Sequence, residues 1–422
     1  AELLRRYDKS GPRYTSYPAV PHFAELITEG DYLHAVRESN GDPIPRQLSI
    51  YAHIPFCQSP CFYCGCTRVI TRDRTAGARY LSRLQREVEL QSHHFDDDRV
   101  VQQIHLGGGT PTFLDDSQLA ELVTFLRHCF TLRDDAMREF SIEVDPRTVD
   151  ASRLALIAGL GFNRISFGVQ DFDPEVQKSI NRVQPREQVL EMIDAARRCG
   201  FRSIAVDLIY GLPRQTESGF TRTLEQVAAV RPDRIAAYSY AHLPQIFKAQ
   251  KQIRSEYLCP PETKLALLGQ TIQTLTAAGY VYIGMDHFAL PGDELALALA
   301  DGSLQRNFQG YSTRAGLDLI GLGMSAIGQV DNLYYQNHRT LDDWGAALDC
   351  GRLPIWRGHL LAADDRMRGA IIHALMCRGE LDLREFGNRF DLAFNSHFAA
   401  ELARLEPLAD DGLVEVGLDR LR

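Results

Sequence analysis

Six apolar segments that alternate with amphipathic segments constrain the fold of this chain more than any other sequence feature. The apolar segments are rich in β-branched and aromatic residues, as buried strands are. They are residues 48–54, 100–106, 139–144, 164–169, 203–210 and 234–240. The stretches between them have helical spacing, and parallel strands need such helical crossovers. The pattern therefore predicts an α/β fold with a parallel sheet, either open and doubly wound or closed into a barrel.

Polar, chemically reactive residues follow each of these predicted strands. The strand-end segments are HIPFCQSPCFYCGC, GGGTPT, EVDP, GVQDF, DLIYGLP and YSYAHLP. In α/β barrels, active residues lie where strands end and helices begin. Six successive strand ends with such residues favour a barrel, or part of one, over an open sheet.

The strand–helix alternation fades after about residue 290. A Gly-rich segment at 307–328 is expected to loop back over the barrel mouth, and amphipathic helices begin at about 355. We therefore predict three parts. They are an arm or lid segment at 1–45, a partial barrel with Gly-rich closing loops at 46–330, and a mainly helical C-terminal domain at 331–422.

Charge and hydropathy exclude several classes of protein. The formal net charge of −9 disfavours a nucleic-acid-binding surface, and no apolar run approaches the roughly 20 residues of a membrane span. The first residues lack the charged-then-apolar pattern of a secretory signal. Nine cysteines, five of them isolated, do not form the pattern of a disulfide framework. These features predict a cytoplasmic protein.

The segment CQSPCFYCGC, residues 57–66, places four cysteines in ten positions. A structural zinc site needs a second ligand pair a dozen or more residues away, and no such pair follows. A redox pair of Cys61 and Cys64 would not need Cys57 and Cys66. An iron–sulfur cluster fits better, because closely spaced thiolates on one loop can ligate its irons. Spacing alone leaves open whether three or four cysteines bind.

Two neighbouring motifs resemble those of the radical S-adenosylmethionine (SAM) enzymes. Cys57, Cys61 and Cys64 follow the first strand with the spacing C-x3-C-x2-C, and the aromatic Tyr63 precedes the third cysteine. At the next strand end, GGGTP (107–111) is similar to the glycine-rich segment that contacts the methionine amino group in that superfamily. Glycine turns alone are common, but this one follows the strand after the cysteine loop.

A longer series of segments narrows the resemblance. The series is SGPRYTSYP, YAHIPFCQSPCFYCGC, GGGTPT, SIEVDP, FGVQDF, NR, DLIYGLP, YAHLP, GMDHFA and NFQGY. Together they resemble the oxygen-independent coproporphyrinogen III oxidases, from about residue 7 to the end. The resemblance implies a partial (β/α)6-type radical SAM barrel with an N-terminal arm and a smaller, mainly helical C-terminal domain.

The family resemblance implies an oxidoreductase of haem biosynthesis, a coproporphyrinogen dehydrogenase. Members convert two propionate side chains of coproporphyrinogen III to vinyl groups, which gives protoporphyrinogen IX. A 4Fe-4S cluster cleaves SAM to a 5′-deoxyadenosyl radical, and two SAM molecules bind. The resemblance also implies a porphyrinogen substrate, a reductant such as flavodoxin or ferredoxin, an unknown electron acceptor and a monomeric chain.

The resemblance assigns roles to particular residues. Cluster ligands match Cys57, Cys61 and Cys64. Contacts of the first SAM match Tyr51, Gly108, Glu143 and Ile327. Contacts of the second match Tyr63, Gly109, Thr110, Gln170, Arg182, Asp207 and Ala241. An arginine can hold a carboxylate bidentately, and glycines let the backbone come close to a ligand. Glu143 and Asp145 could instead cap the next helix, and the strand-end histidines are assigned no role.

A haem chaperone of the same family is the alternative function. Such chaperones carry phenylalanine at the position of Cys66 and lack the SGPRYTSYP and NFQGY segments. This chain has Cys66 and both segments, which favours the oxidase.

Overall fold

A computed structural model describes residues 6–7 and 17–422, and its largest element is a sheet of twelve strands. In chain order these strands are β1 (Leu48–Ile54), β2 (Val101–Gly108), β3 (Glu139–Val144), β4 (Arg164–Gln170), β5 (Ser203–Tyr210), β6 (Arg234–Ser239), β7 (Val281–Gly284), β8 (His287–Ala289), β9 (Asp318–Leu322), β10 (Ile327–Val330), β11 (Leu333–Asn337) and β12 (Ile355–Leu360). Three short strand pairs join Phe56–Cys57 to Val69–Ile70, Gln305–Asn307 to Gly310–Ser312, and Leu381–Asp382 to Arg420–Leu421.

The six predicted strands lie side by side in chain order, from β1 to β6, and each neighbouring pair is parallel. β9 pairs in parallel with the other side of β1, and the outer strands are antiparallel. The spatial order is β12-β11-β10-β9-β1-β2-β3-β4-β5-β6-β8-β7. Because β12 and β7 end the sheet without pairing to each other, the barrel is partial. The predicted α/β fold is confirmed.

Helices connect the parallel strands, as the amphipathic segments predict. The helices are α1 (Glu29–Asn40), α2 (Thr75–Ser92), α3 (Asp116–Cys129), α4 (Ala151–Gly159), α5 (Pro174–Ser179), α6 (Arg186–Arg198), α7 (Glu217–Val230), α8 (Pro261–Ala277), α9 (Glu294–Asp301), α10 (Leu341–Asp349), α11 (Ala363–Arg378), α12 (Leu383–Phe390), α13 (Phe394–His397), α14 (Ala399–Ala403) and α15 (Glu406–Asp410). None of those in the described part of the chain is long and apolar enough to cross a membrane.

The chain forms two compact units, each with its own apolar core. The larger, barrel unit comprises residues 24–293 and 316–360 and contains the whole twelve-stranded sheet. Its core includes the fully buried Trp344, Phe140 and Phe167. The smaller unit comprises the described residues before Ala24, together with 294–315 and 361–422, and its core is mainly helical. That core contains Met367, Ala374, Leu381, Leu383, Phe386, Phe394, Phe398 and Leu421.

The two units divide the chain differently from the three predicted parts. Residues 331–360, predicted to belong to the C-terminal domain, carry β11 and β12 and extend the large sheet by antiparallel pairing. Residues 24–45, predicted as part of the arm, carry α1, which belongs to the barrel unit. The segment 294–315 belongs to the smaller unit. Residues 1–5 and 8–16 of the predicted arm lie outside the described residues, so its role as a lid stays a prediction.

Candidate active site

The carboxyl ends of the parallel strands surround a cavity of about 560 Å³. Residues around the cavity are far apart in the sequence, from the end of β1 to the strand β5. They meet because the ends of parallel strands lie at one edge of a sheet. Eleven of the fourteen predicted site residues line it. They are Cys57, Cys61, Tyr63, Cys64, Gly108, Gly109, Thr110, Glu143, Gln170, Arg182 and Asp207.

The three predicted ligand cysteines line this cavity as free thiols with different surroundings. Cys57 Sγ lies 3.4 Å from Thr110 Oγ1. Cys64 Sγ accepts a hydrogen bond from the backbone N–H of Cys66 at 3.4 Å. Cys61 Sγ accepts one from Arg182 Nη1 at 3.5 Å. Each thiol therefore lies next to a donor that can stabilise its deprotonated form, which is the form that ligates metals.

The protonation of two of these thiols is shifted in opposite directions. Burial raises the pKa of Cys57 to about 11, against the lowering effect of the Thr110 hydroxyl. Hydrogen bonding from Cys66, supported by the positive charge of Arg68, lowers the pKa of Cys64. Cys64 is therefore the thiol that deprotonates more easily, and Cys57 is expected to lose its proton only when a cation binds.

Glu143, at the end of β3, connects the glycine segment to a histidine of β2. Its Oε2 accepts from the backbone N–H of Gly108 at 3.1 Å, and its Oε1 lies 3.0 Å from His105 Nε2. Burial opposes its charge, but these two partners hold the pKa of Glu143 below its usual value. A carboxylate fixed in this way can accept hydrogen bonds from an ammonium group in the cavity.

Gly108 and Gly109 have no room for a side chain. Gly108 has φ +114°, and an added Cβ would lie 2.6 Å from the His53 ring. A Cβ on Gly109 would lie 2.5 Å from the carbonyl oxygen of Pro55. The glycine segment therefore packs directly against the backbone that leads into the cysteine loop, and glycine is required for that close approach.

Arg182 is a buried charged group of the site with several hydrogen-bond partners. Its Nη1 donates to Asp145 Oδ2 at 3.0 Å and to Cys61, and its Nη2 donates to the Gly168 carbonyl at 2.6 Å. The Arg182 and Asp145 side chains are only 7% and 9% exposed. Burial works against the guanidinium charge, yet the neighbouring anionic groups raise the pKa of Arg182. Arg182 is therefore a fixed cation beside the cysteine loop.

Asp207, on β5, is the acid of the cavity whose protonation changes near neutrality. Burial raises its pKa to about 7, and the nearby charge of Glu143 adds to the shift. Gln170, at the end of β4, has the positive φ of 68°, an uncommon conformation that is enriched at functional sites. Both side chains line the cavity.

Three predicted site residues do not line this cavity. The Tyr51 ring stacks on His105 with 5.7 Å between centroids, and its hydroxyl lies 3.0 Å from His53 Nδ1. Ile327 begins β10 and packs against Gly321, the register partner of Tyr51. Ala241 follows β6, and its carbonyl accepts from a side chain of the segment Lys248–Gln252.

Sequence analysis missed several functional neighbours of these residues. Asp145, considered as a helix cap, does cap the turn Pro146–Thr148, but it also pairs with Arg182. Arg147 pairs with Asp145 at 2.6 Å and points towards Cys61 Sγ at 4.0 Å. The signal for His105 was available, because the pleat of β2 places it on the same face as Gly107.

The donor set of the loop suits an iron–sulfur cluster better than a single ion. Within residues 6–7 and 17–422, no three His, Cys, Asp or Glu side chains converge as ligands of one metal ion. A cubane binds each thiolate through a different iron, so its ligands stand farther apart than those of one ion. The three free thiols of the loop do not converge as ligands of a single ion, which is compatible with a cubane.

A partial parallel barrel with a three-cysteine loop at its strand ends defines a radical SAM enzyme. In agreement, the family model of the Radical SAM superfamily matches residues 51–227, and that of the HemN C-terminal domain matches 361–422. The chain is 51% identical over 416 residues to the oxygen-independent coproporphyrinogen III oxidase of Pseudomonas aeruginosa, covering 99% of this chain and 90% of that protein. This chain belongs to the oxygen-independent coproporphyrinogen III oxidase family.

Two further relatives support the assignment. The oxygen-independent coproporphyrinogen III oxidase of Escherichia coli is 45% identical over 414 residues, covering 98% of this chain and 89% of that protein. The solved structure described as coproporphyrinogen III oxidase (HemN) from Escherichia coli, a radical SAM enzyme, superimposes with a TM-score of 0.94. It shares 43% identity and covers 100% of this chain and 94% of that one. These similarities do not favour the alternative of a haem chaperone.

Proposed function

We propose that this chain decarboxylates two propionate side chains of coproporphyrinogen III to vinyl groups without oxygen, giving protoporphyrinogen IX. For each vinyl group formed, the propionate gives up one hydrogen atom, one carbon dioxide and one electron. One observation carries the proposal: the three free thiols of the cysteine loop line the same cavity as Gly108, Glu143 and Arg182. The names of the relatives supply the substrate and an oxygen-independent oxidation, and the family resemblance implies the conversion of propionate to vinyl groups.

In this proposal Cys57, Cys61 and Cys64 hold a 4Fe-4S cluster. When bound, the cluster and SAM supply the carbon radical that removes the propionate hydrogen. The chain's own groups orient and shield the reactants. Glu143 accepts hydrogen bonds from a cofactor amino group, and Arg182 provides a buried positive charge for a carboxylate.

The remaining predicted cofactor contacts are part of the same proposal. The proposed contacts of a first SAM are Tyr51, Gly108, Glu143 and Ile327. Those of a second SAM are Tyr63, Gly109, Thr110, Gln170, Arg182, Asp207 and Ala241. Eight of these eleven positions are supported by their place on the cavity wall. The other three, Tyr51, Ile327 and Ala241, do not line the cavity.

The proposal further includes a reductant such as flavodoxin or ferredoxin and a separate electron acceptor. A monomeric state and a cytoplasmic location stay predictions.

The test is an anaerobic assay of the reconstituted protein with SAM, dithionite and coproporphyrinogen III. We expect protoporphyrinogen IX and 5′-deoxyadenosine, and we expect neither from the variant Cys61→Ser, which lacks one proposed ligand. Absence of product from a wild-type preparation with an intact cluster would contradict the proposal. Tight haem binding by that inactive preparation would support the chaperone instead.

A further inference from the structure

The cysteine loop, residues 57–66, has little backbone hydrogen bonding of its own. In the described part of the chain, the backbone bond that closes within the loop runs from Cys64 N to Cys61 O at 3.3 Å. Four other backbone oxygens of the loop, those of Pro60, Tyr63, Cys64 and Cys66, accept hydrogen bonds from side chains that lie outside it. A loop without internal secondary structure has high conformational entropy, so these outside side chains determine its shape.

Gln250 hydrogen-bonds to the backbone in the middle of the cysteine loop. It lies in the short helical segment Lys248–Gln252 and is 1% exposed. Its Nε2 donates to the carbonyl of Tyr63 at 2.9 Å and to that of Ala241 at 3.1 Å. Its Oε1 accepts from the backbone N–H of Leu243 at 2.5 Å. One buried amide therefore joins the cysteine loop to the turn that carries a proposed SAM contact.

Asn181 hydrogen-bonds to the first half of the loop. Its Nδ2 donates to the carbonyl of Pro60 at 2.7 Å and lies 3.3 Å from Ser59 Oγ. The preceding residue contributes as well, because the carbonyl of Ile180 accepts from Phe62 N at 2.9 Å. Asn181 directly precedes Arg182, whose side chain donates to Cys61 Sγ, so two consecutive residues contact the loop.

Arg68 hydrogen-bonds to the backbone at the end of the loop. Its Nη1 donates to the carbonyls of Cys64 at 2.9 Å and Cys66 at 3.3 Å. Its Nη2 lies 3.3 Å from the carbonyl of Cys61. The guanidinium therefore contacts the backbone of three of the four cysteines at once.

We propose that Gln250, Asn181 and Arg68 are positioning residues that hold the cysteine loop in its ligating shape before the cluster is bound. The inference rests on the proposed function for the identity of the cluster, but the ordering of the loop belongs to the metal-free chain. Ligands presented by a preordered loop need not be ordered by the metal itself. Outer partners of metal ligands typically change affinity or activity by about 10-fold to 100-fold when they are replaced.

Gln250→Glu is the most informative substitution. It keeps the shape of the side chain and an oxygen for Leu243 N–H, but it removes the amide group that donates to the loop and to Ala241. Gln252→Glu is the matched control, because Gln252 is exposed in the same helical segment. Asn181→Asp removes the donor to Pro60 and is the second variant if Gln250→Glu does not fold.

The first measurement is hydrogen exchange of the metal-free chain, and the second is iron release from the reconstituted chain to a chelator. We expect faster exchange confined to residues 57–66 and the 241–243 turn in Gln250→Glu, and iron release about 10-fold faster than in the wild type. Gln252→Glu should match the wild type in both. Equal exchange and equal iron release in Gln250→Glu and Gln252→Glu would overturn the inference. Failure of the wild type to take up iron would instead contradict the proposed function.

Discussion

Cys66 illustrates how the structure separates residues that look equivalent in the sequence. Its backbone N–H donates to Cys64 Sγ, so it supports a proposed ligand, and hydrogen bonding to Cys64 raises the pKa of its own thiol. Cys57 and Cys61 each have a different partner, Thr110 and Arg182. Spacing could not decide between three and four ligands, because it contains no information on which thiols have donors beside them.

At the residue scale we expect Cys66→Ser to retain the cluster. The substitution keeps the backbone N–H that donates to Cys64, and it leaves Cys57, Cys61 and Cys64 in place. The iron content and the visible spectrum of the anaerobically reconstituted variant should equal those of the wild type.

Cys61→Ser, treated in the same way, should lose the cluster, because it removes a proposed ligand and the acceptor of Arg182. Loss of iron from both variants would instead favour four-cysteine ligation and remove the open coordination position on which the proposed use of SAM depends.

Among secondary-structure elements, α2 has a role beyond covering the sheet. Its Glu87 is fully buried, and its carboxylate accepts from Gly323 N, Trp344 Nε1 and Asn337 Nδ2. Tyr80 lies two turns earlier. Its hydroxyl donates to the carbonyl of His53 at 2.7 Å and accepts a hydrogen bond from the backbone N–H of Met324. One helix therefore connects β1, the turn between β9 and β10, and α10.

We expect Glu87→Gln to remove a pH dependence of stability. Burial raises the pKa of Glu87 from 4.5 to about 7, despite three hydrogen-bond donors that lower it. Between these values the folded chain holds a proton that the unfolded chain has lost, so stability falls as pH rises through this range, by about 3 kcal/mol for this group. Urea unfolding at about pH 5 and about pH 8 measures the effect.

The control for that substitution is Glu89→Gln, on the same helix, where the side chain is 46% exposed. Wild type and Glu89→Gln should lose stability equally between the two pH values, while Glu87→Gln loses less. An unchanged pH dependence in Glu87→Gln would show that Glu87 ionises normally in the folded chain.

At the scale of the whole molecule, the chain builds two units from interleaved segments. All cavity-lining residues belong to the barrel unit. In the smaller unit, the segment 294–315 contacts α11, since Arg306 N donates to His373 Nε2 at 3.4 Å and Tyr311 Oη donates to the carbonyl of Met376 at 3.2 Å. The segment therefore depends on residues that come more than sixty positions later in the chain.

Deletion of residues 361–422 tests this organisation. The truncated chain retains the barrel core and every cavity residue, so we expect it to take up iron like the full chain. The segment 294–315 loses its partners on α11, and we expect trypsin to cleave it after Arg306 or Arg314 much faster than in the full chain. A truncated chain that is folded by circular dichroism but binds no iron, or that resists trypsin there, would contradict the prediction.

The sequence by itself determined the local features: the six parallel strands, their crossover helices, the cysteine spacing and the glycine segment. These depend on periodicity, turn residues and motif spacing, which act over a few residues. Family resemblance added the candidate ligands, and eleven of the fourteen predicted site residues line one cavity.

Only the tertiary structure decided which distant groups meet. Three contacts join parts of the chain that are far apart in sequence. Asp145 pairs with Arg182, Gln250 donates a hydrogen bond to the Tyr63 carbonyl, and residues 331–360 extend the sheet. Such contacts depend on the packing of strand ends and loops, and no local pattern of residues encodes them.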